Sequence, residues 1–272
     1  MSGKSLEKFK KIIWDYYRDN RRDFPWRNTH DPYKILVSEI MLQQTQASRV
    51  ISKYESFLKK FPNTNVLANA PLGDVLLEWQ GLGYNRRALY LKKCAEQIEK
   101  DFGGVFPKDF KSLCLLPGIG PATAGDVMAF AWNIPHVVIE TNIRSVFIHF
   151  FFQDTKKVSD KEIVPLIEKT LDMHNVREWY WALFDYGAYL KQTSNPSRKS
   201  THHNKQTTFK GSYRQKRAHV LKIILNKKQT QKEIETISTY DSHTVSKILH
   251  DLENEGFIKR IGKQSPQFQI VS

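Results

Sequence analysis

Cysteine is almost missing from this chain, acidic residues are under-represented, and no long apolar run occurs. Only Cys94 and Cys114 are found among the 272 residues. Two thiols cannot complete a zinc site or a four-thiolate cluster by themselves. They read as small buried apolar residues in a reducing compartment. No apolar stretch reaches membrane-spanning length. Met1 to Lys11 is charged and lacks the apolar core of a signal peptide. A soluble intracellular protein is expected, cytoplasmic, or nucleoid-associated in a prokaryote. Strand-like alternation is missing before residue 256, which points away from β architectures for most of the chain.

The acid deficit is uneven. Lys and Arg total 42 against 28 Asp and Glu, a net charge of +14. Residues 1–190 hold 26 bases against 22 acids, and residues 191–272 hold 16 against 6. A polyanionic partner is the simplest reason for such a surplus; a merely basic enzyme is the plain alternative.

What is present is helical spacing. Leu6, Phe9, Ile12, Ile13 and Tyr16 form an amphipathic first helix. Similar patterns fill 32–45, 47–60, 73–79, 86–102, 108–115, 122–133, 140–152, 160–172 and 177–191. Pro and Gly punctuate them at Asp31-Pro32, Phe61-Pro62, Gly81-Leu82-Gly83, Gly103-Gly104 and Pro117-Gly118. The apolar content of 40% is enough for a real core. Three segments follow from this: an all-α domain over 1–191, a polar, basic linker over 192–212, and a compact unit over 213–272. The linker holds His202 and His203, adjacent with no nearby Cys or carboxylate, so no metal is assigned there. In the last unit a helix spans 213–226. Thr230 with Glu233 forms a capping box for a helix over 230–237. Asp241 or Ser242 caps a third helix ending near Glu255. A hairpin follows over 257–262 and 267–271. Three helices and a basic hairpin resemble a winged helix, whose third helix would read a DNA groove. A protein-interaction module of the same shape is the alternative.

Leu116-Pro117-Gly118-Ile119-Gly120 lies between two helical patterns. Its glycines allow a sharp turn and close backbone approach, and the helix starting at Pro121 offers free N–H groups to a phosphate. Out of context such a turn is an ordinary helix connection. Glu140 follows the apolar run Val138-Ile139 at a helix start. Glu39 is a carboxylate inside an apolar helical segment; by itself it reads as the polar edge of an amphipathic helix.

Taken together, these segments resemble the helix-hairpin-helix (HhH-GPD) DNA glycosylases over roughly residues 6–190. More narrowly they are similar to the adenine DNA glycosylases of MutY type. The matching strings are Phe24-Pro25-Trp26-Arg27, Ser38-Glu39-Ile40-Met41-Leu42-Gln43-Gln44-Thr45, Trp79-Gln80-Gly81-Leu82-Gly83-Tyr84, the Leu116–Gly120 turn and Asp185-Tyr186-Gly187-Ala188. The resemblance implies an all-α, two-lobed helix-hairpin-helix glycosylase fold followed by a small winged-helix-like α+β domain. It implies a monomer acting on double-stranded DNA with a mispaired or damaged base, and hydrolytic removal of adenine opposite guanine or 8-oxoguanine. Glu39 would protonate the leaving base and Glu140 would stabilise the oxocarbenium-like sugar. Gln43, Gln44, Tyr84, Arg86, Leu116, Gly118, Ile119, Gly120 and Asn142 would contact DNA.

Five departures from the family matter. The second carboxylate is normally Asp, and here it is Glu140, one methylene longer; a misplacement of ~1 Å can cost about 10²-fold in rate. Ala122 stands where bifunctional relatives carry a Schiff-base lysine, which predicts a monofunctional enzyme. The stretch 190–204 carries none of the four cluster cysteines of the family, so no iron–sulfur cluster and no other cofactor is expected. Asn85 stands where the family has tyrosine, and a winged-helix-like unit occupies the place of the family's Nudix-like domain. These departures keep two alternatives open: a mismatch thymine/uracil glycosylase, and a catalytically inactive DNA-binding protein.

Overall fold

A computed structural model describes residues 3–204, 208–262 and 265–271. Within the expected linker, 205–207 lie outside the described residues, as do 263 and 264 in the hairpin turn. In chain order the helices are α1 (Gly3–Asn20), α2 (Pro32–Leu42), α3 (Ala47–Lys60), α4 (Thr64–Asn69), α5 (Leu72–Trp79), α6 (Arg86–Phe102), α7 (Phe110–Leu115), α8 (Pro121–Trp132), α9 (Thr141–Phe151), α10 (Asp160–Thr170), α11 (Val176–Thr193), α12 (Tyr213–Asn226), α13 (Gln231–Ser238) and α14 (Ser242–Asn254). Three short strands, β1 (Gln229–Thr230), β2 (Ile258–Ile261) and β3 (Gln267–Ile270), form an antiparallel sheet in the order β1-β3-β2. The all-α body with a small C-terminal α+β part is therefore present.

By contacts the chain divides into two compact units that do not follow chain order. One unit comprises Met1–Glu39 and Phe106–Lys205; the other comprises Ile40–Val105 and Gln206–Ser272. The division falls inside α2. The C-terminal segment shares its unit with α3–α6.

In the first unit, α11 packs on α1 and α9 around an aromatic cluster. The Phe9 ring meets Phe147, Phe150, Phe151 and Trp179 at centroid distances of 5.0 to 6.0 Å. Rings packed edge-on or tilted in this way add to the burial that stabilises the helices. Two of the matching strings join here. Arg27 lays its guanidinium on the buried Asp185 carboxylate with both contacts at 2.8 Å, and Arg22 adds its own N–H at 3.1 Å and Nε at 2.6 Å. A forked, fully occupied pair is the geometry that makes a buried charge tolerable.

The expected linker is only partly one. α11 runs to Thr193, and a 3₁₀ turn follows at Pro196–Lys199. Pro196, Ser197 and Ser200 are buried, and Val158 pairs with this segment through Val158 N–H to Lys199 O and Thr201 N–H to Val158 O, each 2.9 Å. Small residues bury without raising hydropathy, so composition hid this packing.

In the second unit, α6 packs on α4 and α5. The capping box at Thr230 and Glu233 forms as expected. β1, absent from the sequence expectation, is a two-residue edge that pairs Gln229 with Phe268; so short a strand has no alternation to read. α12 contacts α5, where Gly73 lies beside Leu225 and Ile270.

Candidate active site

α2 is buried on nearly every side: Tyr33, Ile35, Leu36, Val37, Ser38, Ile40 and Met41 are all buried. Glu39 is therefore no polar edge. Glu39 itself is half-buried among them. Burial raises its pKa to about 8; the nearby Glu140 charge adds to the rise and Arg27 opposes it. Both effects penalise the anion, so Glu39 holds its proton near neutrality.

Glu140 has other surroundings. It is the N-cap of α9: Oε1 accepts the N–H of Asn142 at 2.6 Å and of Ile143 at 2.9 Å, while Oε2 accepts Asn142 Nδ2 at 3.2 Å. The extra methylene is accommodated by folding the side chain back onto the helix end. Burial pushes the Glu140 pKa up, and Lys191, the two capping N–H groups and Arg144 work against it. The two carboxyls have unlike environments: burial dominates at Glu39, and at Glu140 the N–H groups at the start of α9 bind the carboxylate.

Backbone geometry fixes Glu140. Tyr180 donates its hydroxyl to His136 O at 2.6 Å and accepts Val138 N–H at 3.0 Å, holding the segment that leads to the cap. Gly125 of α8 lets that segment lie close; a Cβ there would come 2.8 Å from Val138 Cγ2. Gly187 does the same for α11. An added Cβ would meet the Asn142 carbonyl and lie 2.6 Å from Asn142 Cβ. Replacing Gly187 by Ala should therefore push away the first turn of α9. Overpacking of this kind costs about 1–3 kcal/mol, so a lower melting temperature is expected. An unchanged melting curve would show that α9 and α11 are not in this close contact.

A third carboxyl belongs here that sequence reasoning missed. Asp126 of α8 is 7% exposed, and its Oδ1 has no hydrogen-bond partner. Burial pushes its pKa well above the ordinary value, with Glu39 and Glu140 adding to the rise. The available signal was a lone acid in the apolar run from Thr123 to Ala131. An acid with a raised folded pKa contributes stability below its unfolded pKa, which is lost as pH rises through the folded value. Asp126→Asn should accordingly raise the melting temperature by about 2–4 °C at pH 8 and hardly at all near pH 4. A gain that is larger in acid would reverse this assignment.

The turn between α7 and α8 has the expected form. Gly118 has φ +78°, Ile119 N–H donates to Leu116 O at 3.1 Å, and Gly120 precedes Pro121, the first residue of α8. Gly118 and Gly120 are exposed, whereas Leu116 and Ile119 are buried. Those two side chains serve the core; the exposed apolar neighbour is Leu115. Asn142, expected to meet DNA, is engaged with Glu140.

The remaining site residues lie in the second unit. Gln44 and Tyr84 are non-glycine residues at positive φ, +55° and +48°. Arg87, also missed by sequence reasoning, ties their loops together. Its Nη1 reaches the carbonyls of Ile40, Met41 and Gln43 at 2.6 to 2.9 Å. Its Nη2 reaches Thr45 Oγ1 and the carbonyls of Leu82 and Gly83, each at 3.1 Å. One guanidinium thus satisfies the end of α2 and both loops. Burial lowers its pKa to about 10, a value at which it stays charged. Gln43 is half-buried in the first of these loops. Arg86 is not open to solvent alone: with Arg217 it grips Glu255. Burial opposes ionisation of Glu255, but Arg217 and Arg86 outweigh it and hold the pKa down at about 2.

The residues after α11 do not fit an iron–sulfur cluster. Cys94 is buried in α6 and Cys114 lies on α7; neither is in that loop, whose described residues offer no thiolate. Among the described residues no group of three or more His, Cys, Asp or Glu side chains is arranged to hold a metal. No helix among them is long and apolar enough to cross a membrane.

Residues 37–170 match the model of the HhH-GPD superfamily base excision DNA repair protein. That span runs from just before Glu39 to beyond Glu140. Among individual relatives, the chain is similar to the adenine DNA glycosylase of Buchnera aphidicola subsp. Baizongia pistaciae, 36% identical over 192 residues, which cover 69% of this chain and 54% of that protein. It is also similar to the thymine/uracil-DNA glycosylase of Methanothermobacter thermautotrophicus, 29% identical over 198 residues, covering 72% and 90%. The structure of a thermostable thymine-DNA glycosylase superposes with a TM-score of 0.62 at 26% identity, covering 72% and 95%. The chain spans about half the length of the adenine glycosylases it matches first, 53% to 55%.

Proposed function

We propose that this protein is a monofunctional DNA N-glycosylase that removes mispaired adenine from duplex DNA by hydrolysis. The observation that carries the reading is the unlike pair of carboxyls: burial raises the Glu39 pKa to about 8, and the start of α9 binds the Glu140 carboxylate through two N–H groups. Adenine is a poor leaving group until a ring nitrogen is protonated, and Glu39 supplies that proton. As the glycosidic bond breaks, the sugar becomes oxocarbenium-like, and the Glu140 charge stabilises it. Water completes the hydrolysis, with the Glu39 carboxylate, having lost its proton, as base. The adenine glycosylases among the relatives support adenine as the base, and the string from Ser38 to Thr45 supports Glu39 as the acid.

The base must first leave the stack, at a cost of about a few kcal/mol. The exposed Gly118–Gly120 backbone offers N–H groups to phosphate. Gln43, Gln44 and Tyr84 fill the gap. Ala122, exposed in the first turn of α8, has no amine, so no Schiff base forms there and strand cleavage is not part of the reaction. The loop after α11 works by its own packing, without a cluster. The protein acts as a monomer.

Single-turnover assays on duplexes with adenine opposite guanine or 8-oxoguanine, and with thymine or uracil opposite guanine, test the reading. Abasic product is expected from the adenine duplexes, revealed as breaks only after alkali. Product confined to the thymine and uracil duplexes would transfer the same chemistry to the alternative substrate. No product from any duplex would leave a DNA-binding protein.

A further inference from the structure

Tyr84 is held in an unusual way. Its backbone is left-handed, and its side chain is 38% exposed. The Arg87 guanidinium lies 5.5 Å from the ring centroid, and that of Arg214 lies 5.8 Å from it. Arg214 Nη1 also donates to the Tyr84 hydroxyl at 2.8 Å. Arg87 belongs to the base of the same loop. Arg214 comes from the first turn of α12, in the winged-helix-like segment.

That segment is fastened beside the loop at several points. Arg86, two residues past Tyr84, and Arg217, one turn past Arg214, share the Glu255 carboxylate. Tyr213 donates to Asp251 at 2.5 Å, and Gly73 of α5 packs near Leu225 and Ile270. A forked, charge-assisted clamp of this kind fixes orientation as well as adding energy. An exposed ring in a strained backbone conformation adds little to a core. Such strain persists where the surroundings over-determine it, as they do at working sites.

We propose that Arg214 is a positioning residue for Tyr84: the C-terminal segment reaches over to fix the tyrosine ring against the base left unpaired opposite the extruded nucleotide. The inference rests on the glycosylase reading. An aromatic ring stabilises an unstacked base through its face, and a guanidinium on the hydroxyl sets the angle at which that face is presented. In this arrangement the segment after residue 212 serves the opposite strand through a side chain of the glycosylase body.

The test compares two duplexes, one with adenine facing guanine and one with adenine facing a tetrahydrofuran abasic analogue, which has no base for Tyr84 to meet. Single-turnover excision is measured for the parent, Arg214→Ala, Tyr84→Phe and the double variant. Arg214→Ala should slow excision opposite guanine about tenfold, the loss of one charge-assisted hydrogen bond, and stay within about twofold of the parent opposite the abasic analogue. Tyr84→Phe keeps the ring and loses only the hydroxyl. It should act in the same direction, and the double variant should be no slower than Arg214→Ala, as for groups acting through one contact. Equal slowing on both duplexes, or none on either, overturns the proposal while leaving the glycosylase reading intact. A parent protein inactive on both duplexes removes that reading and this inference together.

Discussion

Glu39→Gln should bind duplex DNA as the parent does and excise adenine about 10³-fold more slowly. The amide has the shape of the carboxyl but no proton to give, so the leaving base departs as an anion. The same variant should be the more stable protein in neutral and alkaline buffer. The folded pKa of Glu39 is raised from 4.5 to about 8; its contribution to stability is present below pH 4.5 and lost as pH climbs through 8. Gln escapes that loss. Thermal melts of both proteins from pH 5 to 9 should diverge steadily, with the variant above. Melts that run parallel, together with excision close to the parent's, would mean that Glu39 is an ordinary carboxylate and not the acid.

Glu140→Gln should separate charge from capping. The amide oxygen still accepts the N–H groups of Asn142 and Ile143, so the end of α9 persists and stability changes little. The anion facing the sugar is gone, which should cost about 10²–10³-fold in excision, the range found when one preorganised electrostatic group is removed. The variant should also shift the pH profile. The Glu140 charge helps raise the Glu39 pKa. Without that charge Glu39 ionises more easily, and the alkaline fall in rate moves to lower pH. A profile that keeps its alkaline limb in place would show that the two carboxyls do not interact.

The helices were legible where an amphipathic period met a cap. α12 and the Thr230 capping box lie where their sequence puts them. α4 and β1 were not legible, because six residues and two residues carry no period. The packed turn at Pro196–Lys199 was hidden by its small polar residues. At the site, the resemblance pointed to Glu39 and Glu140, because each sits in a local string. What those strings do was visible only in three dimensions. Arg27 and Asp185 are 158 residues apart yet form one fork, and Gly187 is a glycine because the Asn142 backbone lies against it. Asp126 and Arg87 were missed because a lone charge in an apolar helix looks the same whether it serves a site, a loop or the surface. The extra methylene of Glu140 had to be accommodated somehow, and only the structure shows how: its carboxylate folds onto the start of α9.

The proton on Glu39 is the claim on which the proposed chemistry stands. Carbon-13 NMR of the glutamate side-chain carboxyls, followed from pH 4 to 10 in the parent and in Glu39→Gln, tests it most directly. A resonance that titrates near pH 8 in the parent and is absent from the variant is the expected result. If every glutamate carboxyl of the parent has ionised by pH 6, the acid assigned here does not exist.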